Sequence, residues 1–194
     1  MIPSIQHLET SAVLLRPMVA SDVEAFLPLC SQDENMWSFF TMNLSSPPQL
    51  KRWVETALRD RETGNRLPFT IIDKQSGAIA GSTSIANISM YDLRAEIGWS
   101  WLGQAFRGTG INRHAKYAMM RVLFDSYEFE RVEFKTDVLN ERARQGLLRI
   151  GAVEEGILRS HMKMWNNRRR TSIYYSVLKS EWPRLKATIF AGFD

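Results

Sequence analysis

The segment that most constrains this chain is a glycine-containing turn between an apolar strand and an amphipathic helix. It follows the apolar segment 95–102 and reads Arg107-Gly108-Thr109-Gly110-Ile111-Asn112. Apolar residues then recur at helical spacing, at Ala115, Ala118, Met119, Val122 and Leu123. Glycines let a backbone approach a ligand closely, and a helix start presents unpaired N–H groups and a positive dipole end. The pattern therefore predicts a cradle for an anion, with phosphate or pyrophosphate as the expected group.

Two common nucleotide-binding motifs do not fit this turn. A Walker A loop needs a Lys-Ser or Lys-Thr pair after its second glycine, and a dinucleotide fingerprint needs Gly-x-Gly-x-x-Gly; the turn has neither. An ordinary strand–helix turn stays open as the alternative, because glycine pairs before helices are common.

The rest of the chain predicts a mixed α/β (α+β) fold. Strands are predicted at 13–16, 69–73, 79–85, 95–102 and 131–137, with a final hairpin over 155–165 and 171–177. Helices are predicted at 22–30 with Ser21 as N-cap, from Ser46 onward, at 111–127 and at 141–150. One parallel crossover, from 95–102 to 131–137, is expected among antiparallel hairpins. A length of 194 residues without repeats or linkers predicts a single domain over residues 1–194.

Composition narrows the function classes. A hydrophobic content of 44% fits a globular core, and no apolar run approaches 18 residues, which argues against a membrane span. The N-terminus lacks the features of a signal peptide and Cys30 is the only cysteine, so a cytoplasmic protein is expected. The histidines show no metal-ligand spacing. A net charge of +4 suits a phosphorylated ligand but is too small to argue for nucleic acid.

Several short motifs, in order along the chain, resemble the GNAT superfamily of acyl-CoA-dependent N-acyltransferases. The turn is similar to the family's Arg/Gln-x-x-Gly-x-Gly/Ala loop, with Asn112 in place of the last small residue. Strand 131–137 is followed by Asn140 and by a helix that closes on Gly151-Ala152. Further matches to the Rim-type branch (ribosomal-protein N-acetyltransferase-like) extend the resemblance over roughly residues 13–182. It implies the GNAT fold, a mostly antiparallel central sheet with a splayed parallel pair, flanked by helices.

The resemblance also implies an N-acetyltransferase that moves acetyl from acetyl-CoA to a primary amine by direct attack. It assigns cofactor contacts to Trp99, Ser100, Trp101 and Leu102 for the pantetheine arm, and to Arg107, Gly108, Thr109, Gly110, Ile111 and Asn112 for the pyrophosphate, with Asn140 as a further contact. Core packing is the alternative for both tryptophans. Asn140 precedes a helix and can serve as its N-cap as well as contact the ligand. Arg107 and Arg113 have no dipole reason to flank a helix start, which favours an anion partner. Lys116 is either a further contact or part of a solvated face.

Glu96 is the candidate proton acceptor, because the matching glutamate of Rim-type enzymes lies beside the thioester. The alternative is an edge carboxylate paired with Arg94 or another cation. Three residues after Asn140 the Rim-type pattern has a serine that can protonate the leaving thiolate, but this chain has Ala143. Water, the hydroxyl of Tyr117, Ser100 or Tyr174, or an unassisted thiolate could replace it; Tyr117 is the first candidate.

The acceptor is expected to be a small-molecule or peptide amine, bound by the first two helices and the final hairpin. Segments 36–40 and 162–165 make that wall apolar and aromatic, so a polyamine fits least. A homodimer is predicted because the final hairpin and the tail 181–194 carry more apolar surface than a solvated terminus should expose. Two alternatives stay open: a catalytically weak acyl-CoA-binding module, and a small RNA- or ribosome-binding protein. For the run Arg168-Arg169-Arg170, a polar hairpin turn is favoured over a nucleic-acid patch.

Overall fold

The computed structural model describes residues 5–194, which form strands and helices in the order expected for a mixed α/β chain. The strands are β1 (Leu8–Glu9), β2 (Val13–Pro17), β3 (Arg66–Asp73), β4 (Ile79–Ser89), β5 (Arg94–Leu102), β6 (Arg131–Asp137), β7 (Val153–Lys163) and β8 (Arg169–Leu178). The helices are α1 (Asp22–Cys30), α2 (Pro47–Glu62), α3 (Ile111–Arg121), α4 (Glu141–Leu148) and α5 (Trp182–Thr188). Short 3₁₀ turns lie at Glu34–Trp37 and Gln104–Phe106, and a π-helical turn at Val122–Ser126 follows α3.

All eight strands form one sheet in the order β1-β2-β3-β4-β5-β6-β8-β7. Neighbouring strands are antiparallel except β5 and β6, which pair in parallel from Arg94 opposite Arg131 to Glu96 opposite Glu133. Beyond Glu96, β5 stays paired with β4 and β6 with β8. The two central strands therefore splay apart after three register pairs, which confirms the expected GNAT fold.

Two hydrophobic clusters cover the two faces of the sheet. The larger packs α3, α4 and α5 against the face that carries Ile97, Phe134 and Ile173. The smaller packs α1, α2 and the first 3₁₀ turn around Trp101. We call the face covered by α1 and α2 the α1/α2 face; Glu96 lies on it, because its neighbours Ala95 and Ile97 point into the larger cluster.

The start of α1 differs from the expectation because tertiary contacts replace the predicted side-chain cap. Ser21 precedes α1, as predicted, but makes no side-chain cap hydrogen bond. Asp22 is recruited instead: its carboxylate accepts hydrogen bonds from the Val19 N–H at 2.9 Å, from Arg16 at 2.5 Å and from Thr70 at 2.6 Å. Arg16, Thr70 and the Val19 N–H hold the pKa of this buried carboxyl below its usual range, against the effect of burial.

The C-terminal tail is part of the core. Trp182, Leu185 and Phe190 are at most 3% exposed, and Trp182 donates to Asp125 at 2.7 Å. One of the two surfaces proposed for the homodimer, an exposed apolar tail, is therefore absent: α5 folds back onto α3 and removes it from solvent. Across residues 5–194, no helix combines the length and the apolar character that crossing a bilayer requires.

Candidate functional site

The splay of β5 from β6 comes with a local distortion of β5. Trp99 has a φ of +52°, and the register with β4 shifts between Ser82 and Ser84. This is a β-bulge, which bends one strand and re-aims its side chains. Gly98 precedes the bulge, and a Cβ there would lie 3.0 Å from Oε1 of Glu96. The missing side chain gives the Glu96 carboxylate room at the point where the strands part.

The predicted anion cradle keeps its shape in the structure. Gly108 and Gly110 have φ values of +81° and +95°, the left-handed region that favours glycine. A Cβ at either position would meet nothing within 4 Å, so both lie at an open surface. The first intrahelical hydrogen bond of α3 runs from the Arg113 N–H to the Gly110 carbonyl at 2.9 Å. The N–H groups of Ile111 and Asn112 precede it and can donate to an anion.

The two arginines that flank the cradle are engaged within the protein. Arg107 donates from Nη1 to Asp33 at 2.7 Å and from Nε to the Leu102 carbonyl at 3.0 Å. Arg113 donates to the Ile189 carbonyl at 2.9 Å and lies 5.1 Å from the centre of the Phe193 ring. Nη2 of Arg107 is buried without a partner among the described residues, and contact of either guanidinium with phosphate stays a prediction. Arg107 braces the turn against β5, and Arg113 holds the tail.

Lys116 is buried, so the interpretation as a solvated face is wrong. Its Nζ lies 3.2 Å from Oδ1 of Asn112 and 5.8 Å from the centre of the Phe134 ring. Burial lowers the pKa of Lys116 to about 8. The same contact turns the Asn112 oxygen toward the lysine, in the position where the family pattern has a small residue.

Glu96 is buried and ion-paired on the α1/α2 face. Its Oε2 accepts hydrogen bonds from Nζ of Lys135 and from Nδ2 of Asn87, each at 2.8 Å. Arg94 instead lies 3.4 Å from Asp92 and 3.9 Å from Glu133. Glu96 is therefore paired with another cation, Lys135, as the alternative interpretation allowed, and not with Arg94.

Tyr117 lies away from Glu96, in contact with the C-terminal tail. Its hydroxyl lies 2.6 Å from Oδ1 of Asp194, and its ring packs against Phe190 and Trp182 in the tail. Burial and the Asp194 carboxylate raise the pKa of Tyr117 to about 12. Such a phenol donates a proton poorly at neutral pH, which argues against the expected role as general acid.

The other two candidate proton donors, the hydroxyls of Ser100 and Tyr174, lie in different places. Ser100 Oγ lies 2.8 Å from Thr83 Oγ1, and Thr83 in turn contacts Met119 of α3. Tyr174 stands opposite Lys135 in the β6–β8 pairing, which puts it on the face of Glu96. Of the three hydroxyls, Tyr174 alone shares that face.

The remaining predicted contacts are placed as follows. Asn140 caps α4, because its Oδ1 accepts from the Ala143 N–H at 3.1 Å, which confirms the N-cap. Trp101 is in the core, with its ring 5.0 Å from Phe26 and 5.8 Å from Trp37. Trp99 is partly buried, and its ring centre lies 4.9 Å from the Arg66 guanidinium and 5.7 Å from Nζ of Lys135.

The sequence analysis missed the polar residues that surround Glu96. His161 shares a 3.0 Å hydrogen bond with Ser172, and burial together with the neighbouring cations Lys135 and Arg170 lowers its pKa. Arg170, placed by sequence in a polar turn, lies inside β8 and is 7% exposed. The available signal was the period of two in β8, where polar residues alternate with the core residues Ile173, Tyr175 and Val177.

Comparisons with known proteins agree with this geometry. The family model described as an acetyltransferase (GNAT) domain matches residues 12–153. The "Putative ribosomal N-acetyltransferase YdaF" of Bacillus subtilis is 30% identical over 174 residues, 88% of this chain and 93% of that protein. A GCN5-related N-acetyltransferase from Brucella melitensis is 27% identical with a TM-score of 0.89, covering 97% of this chain and 86% of that one. RimJ of Mycobacterium smegmatis, solved with CoA-disulfide, is 20% identical with a TM-score of 0.79, covering 93% and 91%, and supports the fold alone.

Proposed function

The chain belongs to the GNAT acetyltransferase family and is an N-acetyltransferase, and from this premise we propose that it acetylates a primary amine by direct attack on acetyl-CoA, with Glu96 as proton acceptor. The observation that carries the proposal is the position of Glu96. Its buried carboxylate lies at the last register pair before β5 and β6 separate. A group placed there can reach a substrate that lies between the two strands.

The residues present fit acetyl-CoA. The open cradle of Gly108 and Gly110 and the first N–H groups of α3 suit a pyrophosphate. The unpaired edge of β5 from Trp99 to Leu102 offers backbone groups to the amides of the pantetheine arm, and the Asn140 amide nitrogen can add one donor. When bound, acetyl-CoA supplies the activated thioester.

Glu96 can remove the proton of the incoming ammonium, directly or through one water molecule. Hydrogen bonds from the ammonium of Lys135 and the amide of Asn87 orient the carboxylate for this transfer. Both partners hold the same oxygen, Oε2, while Oε1 faces the space beside Gly98. Oε1 is therefore the oxygen we assign to the proton transfer.

Tyr174 is the proton donor that we assign to the departing thiolate. Ala143 has no hydroxyl, and Tyr117 is held in the tail. Tyr174 lies across from Lys135, the ion-pair partner of Glu96, and its ring centre is 5.8 Å from that of His161. Donor and acceptor would then share one face of the sheet.

The acceptor remains a small-molecule or peptide amine. The name of the Bacillus subtilis protein YdaF suggests a ribosomal acceptor for that protein, and a peptide amine is the corresponding option here. The buried free thiol of Cys30 motivates a reducing, cytoplasmic setting.

Glu96→Gln tests the proposal, because it keeps the size and the hydrogen bonds of the side chain but removes its basicity. We expect acetyl-CoA affinity by calorimetry to be unchanged and amine-dependent thiol release to fall by about 10²–10⁴-fold. Full turnover of the variant at neutral pH would contradict the role of Glu96. If the wild-type protein binds acetyl-CoA but releases no thiol with any amine of a broad panel, an acyl-CoA-binding module would be favoured.

A further inference from the structure

Arg170 has the least satisfied buried side chain on the α1/α2 face. It is 7% exposed, and its Nε and Nη2 atoms are buried without a hydrogen-bond partner among the described residues. These two nitrogens lie on the same edge of a guanidinium group, the edge that binds a carboxylate through two parallel hydrogen bonds. A buried donor without an acceptor is costly, so this edge is built for a partner from outside the chain.

The neighbouring carboxylates do not serve as that partner. Glu96 and Asp137 are close enough to raise the pKa of Arg170 against the larger, lowering effect of burial. Glu96, however, is bonded to Lys135 and Asn87, and Asp137 forms an ion pair with Arg168. Both negative charges are thus matched by other cations, and the charge of Arg170 is in excess.

A second buried guanidinium gives the same sign of charge nearby. Arg66 is 3% exposed and donates from Nε to Ser84 at 2.8 Å, while its Nη2 is buried without a partner among residues 5–194. Its guanidinium lies 4.9 Å from the ring centres of both Trp53 and Trp99. Because Lys135 approaches the same Trp99 ring, Arg66 belongs to the surroundings of Glu96.

We infer that the acceptor is an amine that also carries a carboxylate, and that the carboxylate is held by the Nε–Nη2 edge of Arg170. The inference rests on the proposed acetyl transfer and narrows its substrate class to free amino acids and similar small amino carboxylates. The planar fork matches a carboxylate, and the charge of Arg170 balances it. The amine end would then be presented to Glu96, which lies on the same face of the sheet as Arg170.

The test compares amino acids with their amides in the thiol-release assay. Each pair differs only in the anionic group, and rates are compared per concentration of neutral amine because an amino acid amide is the weaker base. We expect wild type to prefer the acid by at least about tenfold in kcat/KM. Arg170→Gln should remove this preference, so that the ratio of kcat/KM for acid over amide falls to about one. Arg169→Gln is the matched control, since Arg169 is adjacent, exposed and bonded to Ser160.

Several results would overturn the inference. One is equal kcat/KM for acids and amides; another is an Arg170→Gln variant that loses activity on both equally. A preference for phosphoethanolamine over every amino acid would mean that Arg170 binds a phosphate group of the substrate and not a carboxylate. If no tested amine is acetylated, the affinities of N-acetyl amino acids and of their amides for the CoA-loaded protein are measured by calorimetry. The acids should bind more tightly than the amides to wild type, and Arg170→Gln should lose this difference. Equal affinities for wild type would refute the inference.

Failure of the proposed function looks different. It would appear as no acetyl transfer and no binding of acetyl-CoA. Acetylation of neutral amines without a preference for acids would leave the function standing and refute the substrate class alone. A melting temperature and CoA affinity of Arg170→Gln close to those of wild type show that the variant is folded.

Discussion

Among single residues, Lys116 has the environment most readily tied to a ligand. Its ammonium is buried between α3 and the Phe134 ring, and the Asn112 amide oxygen is its hydrogen-bond partner among the described residues. Asn112 belongs to the cradle, so an anion bound there would lie near the lysine charge. An anion would raise the pKa that burial has lowered to about 8.

Acetyl-CoA affinity should therefore fall as pH rises above about 8. Below that pH Lys116 is charged in the free protein and attracts the pyrophosphate; above it, binding must first restore the proton, which costs up to about tenfold in affinity per pH unit. Calorimetry from pH 7.5 to 9.5 measures the effect. Lys116→Met should bind more weakly at pH 7.5 and should lack this pH dependence. An identical slope in both proteins would contradict a lysine–phosphate contact.

The two tyrosines should respond in opposite ways to removal of the hydroxyl. Tyr174→Phe should lower turnover by about 10–10²-fold, toward the lower end of what a general acid contributes. Tyr117→Phe removes a bond to Asp194 in the tail, so it should cost roughly 1 kcal/mol of unfolding free energy and leave turnover unchanged. Thiol release and thermal unfolding, measured on both variants, separate the roles. A Tyr117→Phe variant with low turnover but unchanged unfolding free energy would instead identify Tyr117 as the proton donor.

Among the structural elements, the turn before α3 matters most for the proposed binding of acetyl-CoA, which depends on the backbone conformation of that turn. Gly110→Val should weaken acetyl-CoA binding at least about tenfold, because branched atoms at an open cradle exclude the pyrophosphate. Gly64→Val is the matched control: Gly64 has a φ of +74° and open space around it, so it carries similar backbone strain away from the site. Calorimetry showing equal losses in both variants would attribute the effect to strain alone.

The elements that sequence predicted well are those with a local signal. β6 alternates strictly and was predicted to the residue, and Asn140 is an N-cap by its own side chain. The end of α3 was missed because the apolar spacing continues through the π-helical turn at Val122–Ser126. The partners of Arg107 and Tyr117 lie 74 and 77 residues away in sequence, and no local pattern encodes such contacts.

For the whole molecule, the tail closes the larger core rather than offering a surface to a second copy. Leu185 is fully buried, and its side chain reaches over Gly151 at the end of α4. Leu185→Ala should therefore lower the unfolding free energy by about 2–5 kcal/mol, the usual cost of such a cavity. Denaturant titration measures it; a loss below about 1 kcal/mol would mean that the tail is not part of the cooperative core.

The homodimer remains a prediction, and the final hairpin is the surface left to test. β7 is at the edge of the sheet, and its side chains Val153, Ile157 and Leu158 are about half exposed. Exposed edge strands with apolar residues favour pairing with another chain. If the protein dimerises, Ile157→Lys should shift sedimentation toward the 22.4 kDa monomer without loss of stability. A dimer that resists this change would have to use another face.

The early parting of β5 and β6 also has a consequence for amide hydrogen exchange. In β5 beyond Glu96, alternate amides point toward β4 and away from it, and only those toward β4 belong to a strand pairing. Deuterium labelling of the free protein should therefore show slow amides toward β4 and fast amides toward β6 along residues 97–102, with the alternation interrupted at the Trp99 bulge. Added CoA should slow the fast set first, because its pantetheine amides would occupy that edge. Uniformly slow exchange in the free protein would mean that the edge is already closed in solution.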